Sequence, residues 1–126
     1  MISSIVLAAG MSTRMGSPKA LSDWHGEPLI CYQVRQLKDA GVDEVIVVLG
    51  HRADDIQRQM KALPCRVMLN ARYYLGRAGS LRIGAKAVNR DAESIVILGV
   101  DQPRPAALIR DLLARHAPGS QITRPV

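Results

Sequence analysis

Residues 28–50 read PLICYQVRQLKDAGVDEVIVVLG. The first part, 28–41, has apolar residues at helical spacing. Pro28 suits the first turn of a helix, where a missing N–H costs nothing, and Gly41 suits its end. The run EVIVVLG (44–50) then stays apolar without alternating. Such a strand is buried on both faces, which is the mark of a parallel sheet. A helix followed closely by a two-sided strand is one unit of an alternating α/β fold.

The same alternation extends in both directions. ISSIVLA (2–8) reads as a strand, and so do CRVMLN (65–70) and SIVILGV (94–100). DDIQRQMKAL (54–63) opens with acids and continues as a helix. SLRIGAKAVN (80–89) reads as a helix with Ser80 as its cap, and PAALIRDLLARHA (105–117) as a helix with Pro105 at its start. QITR (121–124) begins one more strand. No repeat, linker or low-complexity segment interrupts the series. The expected fold class is therefore α/β, a Rossmann-like, mostly parallel sheet flanked by helices, with residues 1–126 as one domain.

The 126 residues leave room for a real core, and the absence of phenylalanine makes that core aliphatic. No apolar run approaches the roughly 18 residues of a membrane span, so no membrane partner is expected. Cys31 and Cys65 match no metal spacing and read as buried thiols of a reducing compartment, which gives a cytoplasmic expectation. Residues 1–63 carry seven basic and seven acidic residues. Residues 64–126 carry ten and four, so the whole net charge of +6 lies in the second half. These basic residues are scattered singly, without interleaved aromatics or a nucleic-acid motif. They read as a solvated surface, and no nucleic-acid partner is expected. His25, His51 and His116 have no partners at ligand spacing and read as surface or loop residues.

The chemistry concentrates after the first strand, in IVLAAGMSTRMGSPKAL (5–21). Ligands of open α/β sheets bind beyond the carboxyl ends of strands. Gly10 and Gly16 let the backbone turn closely and aim N–H groups at an anion. Arg14 and Lys19 add two positive charges, so the loop reads as a polyphosphate cradle. The spacing fits neither a Walker A loop nor the dinucleotide fingerprint. Pro18 holds Ser17 extended, so Lys19 is expected on an extended segment and not in a helical turn. An ordinary glycine-rich strand-to-helix loop is the alternative that spacing alone leaves open.

LAAGMSTRMGSPKAL resembles the signature of the MobA-like nucleotidyltransferases, closest to the molybdenum cofactor cytidylyltransferase (MocA-like) group. NARYYLGRAGSLRIGA (70–85) and GVDQP (99–103) are similar to two further segments of that family in order and spacing. The resemblance implies a fold of the nucleotide-diphospho-sugar transferase type and a reaction with a nucleoside triphosphate and Mg²⁺. An acceptor phosphate attacks the α-phosphorus in line and pyrophosphate leaves. It implies a nucleotide site built from Leu7, Ala8, Ala9, Gly10, Met11, Ser12, Arg14, Met15, Gly16 and Lys19. Arg14 neutralises the β- and γ-phosphates, and Lys19 acts near the α-phosphate. Asp101 is the implied Mg²⁺ ligand, and with Arg14 and Lys19 makes up the catalytic set. Asn70, Gly76 and Ser80 are implied to contact base and ribose. For Ser80 a helix cap, for Gly76 and Asp101 a turn, and for Asn70 a strand end are the structural alternatives.

Leu-Ala-Ala-Gly accompanies cytosine nucleotide use in the molybdopterin branch, which makes CTP the expected nucleotide, with UTP and GTP as alternatives. Molybdopterin is the implied acceptor, and a molybdoenzyme the implied partner for handover. The family continues past the equivalent of Val126 with a segment that supplies acceptor contacts and another acidic metal residue. The resemblance thus implies a C-terminally incomplete domain. A nucleotidyltransferase with a phosphosugar or other small phosphate acceptor, and a non-catalytic nucleotide-binding remnant, are the other two functions the sequence allows.

Overall fold

The computed structural model describes residues 1–10, 13–14 and 17–115, with only the backbone described at 13, 14 and 17. The strand expected at 121–124 and His116 lie outside these residues.

Among the described residues, four parallel strands form the central sheet: β1 (Ile2–Ala8), β6 (Glu44–Leu49), β7 (Arg66–Leu69) and β8 (Ser94–Gly99). Their spatial order is β7-β6-β1-β8. Ile5 stands between Ile46 on one side and Ile97 on the other. The chain moves outward from β1 to β6 to β7, then returns across the sheet to place β8 on the other side of β1. That reversal between β1 and β8 is a topological switch point, where the loops leaving two neighbouring strands part and open a crevice. The large strands begin and end within a residue or so of their sequence expectations.

Two apolar layers cover the sheet. On one face Val6, Ala8, Val45, Val47, Leu49, Val96 and Leu98 meet helices α1 (Leu29–Asp39), α2 (Ala53–Arg58) and α4 (Ala106–Arg115). On the other, Ile5, Leu7, Ala9, Ile46 and Val48 lie under helix α3 (Arg77–Ala87) through Ile83 and Ala87. Period-two alternation sorts each strand's residues between these layers, and burying each large aliphatic side chain contributes about 1.5–3 kcal/mol. The approach of α3 is close. A Cβ on Gly84 would stand 2.6 Å from Ile5 Cγ2, so glycine is what lets this helix sit on β1.

The buried serines of the core are satisfied. Ser3 and Ser4, both fully buried, donate to the Glu44 carboxylate at 2.7 Å and the Glu44 carbonyl at 3.1 Å. Glu44 also accepts from the Asn89 N–H and from Arg66. The Asn89 N–H first, then Ser3 and Arg66, hold its carboxyl below the ordinary range against the opposing effect of burial. Cys31 is buried and Cys65 half-buried, and burial pushes both thiols up.

Gly41 ends α1 at φ +95°, with the Val42 N–H returning to the Leu37 carbonyl and the Gly41 N–H to that of Lys38. This is a Schellman cap, which needs a left-handed residue at that place. Between β1 and α1 the chain forms two short hairpins that the sequence pattern did not disclose. One pairs β2 (Thr13–Arg14) with β3 (Ser17–Pro18); the other pairs β4 (Asp23–Trp24) with β5 (Glu27–Pro28). His25 and Gly26, both at positive φ, make the second turn, and Trp24 meets Tyr32 of α1 edge-on. Pro28 precedes α1 instead of opening its first turn. Ser80 does not cap a helix. The helix starts three residues earlier, at Arg77, and Ser80 is buried inside it.

Candidate functional site

The switch point opens into a cleft of about 260 Å³. Its floor is the end of β1, Leu7 to Gly10, beside Gly99, Val100 and Asp101 at the end of β8. The parallel register brings the two ends level, and the Val100 N–H donates to the Leu7 carbonyl at 3.0 Å. One wall carries Pro18, Lys19 and Ala20, whose backbone forms a short 3-10 turn over Lys19–Leu21 packed on α1. Ser17 is extended as expected, in a two-residue strand with Pro18 (φ −61°, ψ 144°), but Lys19 opens a turn instead of lying on the extended segment. A 3-10 turn tolerates this because Pro18 then occupies the position whose N–H has no partner to meet. The facing wall is the start of α3, with Gly76, Arg77 and Ser80, and Tyr73 beside it.

Of the residues singled out in the sequence, Leu7, Ala8, Ala9, Gly10, Lys19, Gly76, Ser80 and Asp101 line this one cleft. Met11, Ser12, Met15 and Gly16, and the side chain of Arg14, lie outside the described residues. Asn70 stands behind the α3 wall. Only 4% exposed, it donates from Nδ2 to Ser80 Oγ at 2.9 Å and accepts the Arg72 N–H at 3.0 Å. It ties the strand end to the helix that forms the wall. Gly76 takes φ +115°, a conformation that lets the chain turn sharply into α3. Among the described residues, a Cβ on Gly10 would meet no atom beyond its chain neighbours within 4 Å.

Three residues enter the site that the sequence reading passed over. Tyr73 packs against Gly50, where a Cβ would come within 2.5 Å of the Tyr73 Cβ, and His51 Nδ1 stands 3.3 Å from the Tyr73 hydroxyl. Arg77 opens α3 at the cleft mouth. Gln33, fully buried on α1, donates from Nε2 to the carbonyls of Gly99 at 3.2 Å and Val100 at 3.1 Å. It fixes the strand end from which Asp101 leaves. Nearby, Gln36 accepts the Ala106 N–H at 2.8 Å and anchors the start of α4. A signal for Gln33 was present: a glutamine three residues after Ile30 and four before Leu37 sits on the buried stripe of α1. A polar residue there must have a partner inside.

Asp101 is exposed in the turn after β8, and among the described residues it makes no ion pair. No group of three His, Cys, Asp or Glu side chains converges among those residues. A carboxylate beside the cleft fits a divalent cation such as Mg²⁺, which is usually held by one or two carboxylates plus substrate phosphates. No helix among the described residues is long and apolar enough to cross a membrane.

A four-stranded parallel sheet with its cleft at the switch point, a glycine at the end of the first strand, and a lysine and a carboxylate facing the opening define an α/β nucleotide-transferase fold. Residues 4–126 match the MobA-like NTP transferase domain, and the chain belongs to that family. It is 33% identical over 101 residues to the bifunctional protein GlmU of Heliobacterium modesticaldum, covering 79% of this chain and 22% of that protein. Among solved structures, a nucleotidyl transferase from Methanothermobacter thermautotroptrophicus superposes with a TM-score of 0.81 at 32% identity, over 91% of this chain and 57% of that one. Rv0371c from Mycobacterium tuberculosis H37Rv, in a complex with manganese, gives 0.73 at 28% identity over 90% and 58%. The chain thus spans a little over half the length of these structures and about a fifth of GlmU.

Proposed function

We propose that this domain transfers a nucleoside monophosphate, CMP from CTP, to a phosphate-bearing acceptor, with molybdopterin as that acceptor. The observation that carries the reading is the convergence of the β1 end, Lys19 and Asp101 on one switch-point cleft. The backbone from Ala9 to Gly16 receives the triphosphate, and glycine at position 10 allows close approach. Arg14 neutralises the β- and γ-phosphates and Lys19 the region of the α-phosphate, where charge builds as the bond to the leaving oxygen lengthens. An acceptor phosphate oxygen forms the new bond to the α-phosphorus while the bond to the bridging β-oxygen breaks and pyrophosphate departs. Asp101 would hold Mg²⁺, which when bound supplies further neutralisation of the triphosphate. The manganese complex of Rv0371c supports a divalent metal in this family.

Tyr73 and the α3 wall take the nucleoside side, with Gly76 and Ser80 against base and ribose and Asn70 holding Ser80 in place. Ala9 favours the smaller pyrimidine, although one methyl is worth only about 1–3 kcal/mol of selectivity.

Pyrophosphate release decides the reading. CTP, GTP and UTP are offered with molybdopterin and with a phosphosugar, to the wild-type chain and to Lys19→Ala and Asp101→Asn. The expected result is release with CTP and molybdopterin that falls at least about tenfold in each variant. Preference for the phosphosugar overturns the acceptor, and preference for GTP or UTP overturns the base. Nucleotide binding without release for any acceptor leaves a binding domain in place of an enzyme.

A further inference from the structure

We propose that Arg77 holds the place of a cation beside Asp101, so that the divalent metal is taken up together with the triphosphate and not ahead of it. This role rests on the reading of Asp101 as the metal ligand, and adds to it the residue that governs when the metal binds.

The placement of three polar groups over one strand end motivates it. A Cβ on Gly99, the last residue of β8, would stand 2.8 Å from Asp101 Oδ1, 3.5 Å from Arg77 Nη2 and 3.8 Å from Gln102 Oε1. Distances that meet at one point put the carboxylate oxygen and the guanidinium nitrogen no more than about 6 Å apart, a range in which opposite charges attract. The two do not touch. Arg77 makes no ion pair with Asp101 or with any other described residue. The guanidinium therefore acts on the carboxylate across a gap and leaves its oxygens free of an ion pair.

Helix stability does not explain an arginine at this place. Arg77 is the first residue of α3, where a cation meets the positive end of the helix dipole, and no acidic residue lies in that first turn to offset it. The carboxylate that lines the same cleft is that of Asp101. Both residues are exposed, so water and salt weaken their attraction without removing it.

The consequence for a metal ion is a matter of charge. A divalent cation at Asp101 gains the attraction of one carboxylate but meets the repulsion of the guanidinium and of the α3 dipole, so by itself it binds weakly. A triphosphate brings several negative charges and gives the guanidinium and the metal a common partner, which offsets their repulsion. Metal and nucleotide then strengthen each other's binding, by the same factor in either direction.

The test uses Mn²⁺ alone as the probe, with the free ion read by electron paramagnetic resonance in titrations of the full chain at low ionic strength. Wild type, Arg77→Gln, Arg77→Lys, Asp101→Asn and the double variant Arg77→Gln/Asp101→Asn are compared. Arg77→Gln should bind Mn²⁺ at least about threefold more tightly than wild type, and Arg77→Lys within about twofold of it. The gain should shrink as salt is added and vanish in the double variant. Affinity for a non-hydrolysable CTP analogue is then measured calorimetrically with and without Mn²⁺. Its enhancement by the metal should be smaller in Arg77→Gln than in wild type, by about the factor gained in the absence of nucleotide. Mn²⁺ binding that is unchanged or weaker in Arg77→Gln overturns the proposal. So does a gain that survives in the double variant, or an enhancement as large in Arg77→Gln as in wild type. Wild-type Mn²⁺ affinity in Asp101→Asn removes Asp101 from the metal site, and the proposal falls with it. A gain that depends on Asp101, in a chain that binds no CTP analogue, refutes the transfer reading while upholding Arg77 as the competitor of the metal.

Discussion

Replacing Gly84 by alanine sets two known effects against each other at one site. Alanine within a helix is favoured over glycine by about 1 kcal/mol. Against that, the new methyl would stand 2.6 Å from Ile5 Cγ2 and 3.3 Å from Ile5 Cδ1. Ile5 is 1% exposed on the central strand, paired on both sides, so neither it nor its backbone has room to retreat. Overpacking of this kind costs about 1–3 kcal/mol and the contact lies at the severe end, so we expect a net loss of about 1–2 kcal/mol. Gly79 in the same helix is the control. Its nearest foreign atom would be Asn70 Nδ2 at 3.6 Å, an ordinary contact, so Gly79→Ala should leave stability unchanged or raise it by up to about 1 kcal/mol. Urea unfolding at equilibrium measures both. Because α3 carries the cleft wall, Gly84→Ala should also weaken nucleotide binding. Pairing it with Ile5→Ala should recover about 1 kcal/mol or more relative to the sum of the single losses. A stabilised Gly84→Ala, or strict additivity with Ile5→Ala, would refute the close packing of α3 on β1.

The remaining expectations concern buried polar groups. The Glu44 carboxyl is held below its ordinary value of 4.5, so the stability it contributes is present above that pH and is lost as pH falls through the lowered value. Glu44→Gln should therefore cost about 1–2 kcal/mol at neutral pH, a gap that closes on acidification below 4.5; chemical unfolding across a pH series reads it. Gln33→Leu removes two hydrogen bonds to the end of β8, but it also removes a buried Oε1 without a partner. Stability should change by less than about 2 kcal/mol while Mg²⁺-dependent CTP affinity falls; unaltered affinity would show that Gln33 does not position Asp101.

What could be read from the chain follows the strength of its periodicities. The four large strands were legible because runs such as EVIVVLG have one reading in a helix-strand alternation, and α1 because Gly41 marks its end. The two hairpins between β1 and α1 were not, since two-residue strands have no period to detect. The start of α3 was misplaced for a chemical reason. Ser80 has the chemistry of a cap, but its hydroxyl accepts from Asn70 inside the helix, and Arg77–Gly79 show no apolar spacing. At the site, the glycine loop and Asp101 were legible as a motif. Tyr73 and Arg77 were not, because their place depends on how α3 crosses the sheet, which no local pattern records. Gln33 was legible only as a polar residue on the buried stripe of α1; that its partners are the carbonyls at the end of β8 was not.

The proposed function requires the switch-point cleft between β1 and β8 to receive a nucleoside triphosphate. Amide chemical shifts of the isotope-labelled chain, followed while CTP and Mg²⁺ are added, test it most directly. Saturable shifts are expected at Ala9, Gly10, Lys19, Gly76, Arg77 and Asp101, with those near Asp101 reduced when Mg²⁺ is left out. Saturable shifts clustered away from these residues, or none at millimolar CTP, would contradict it.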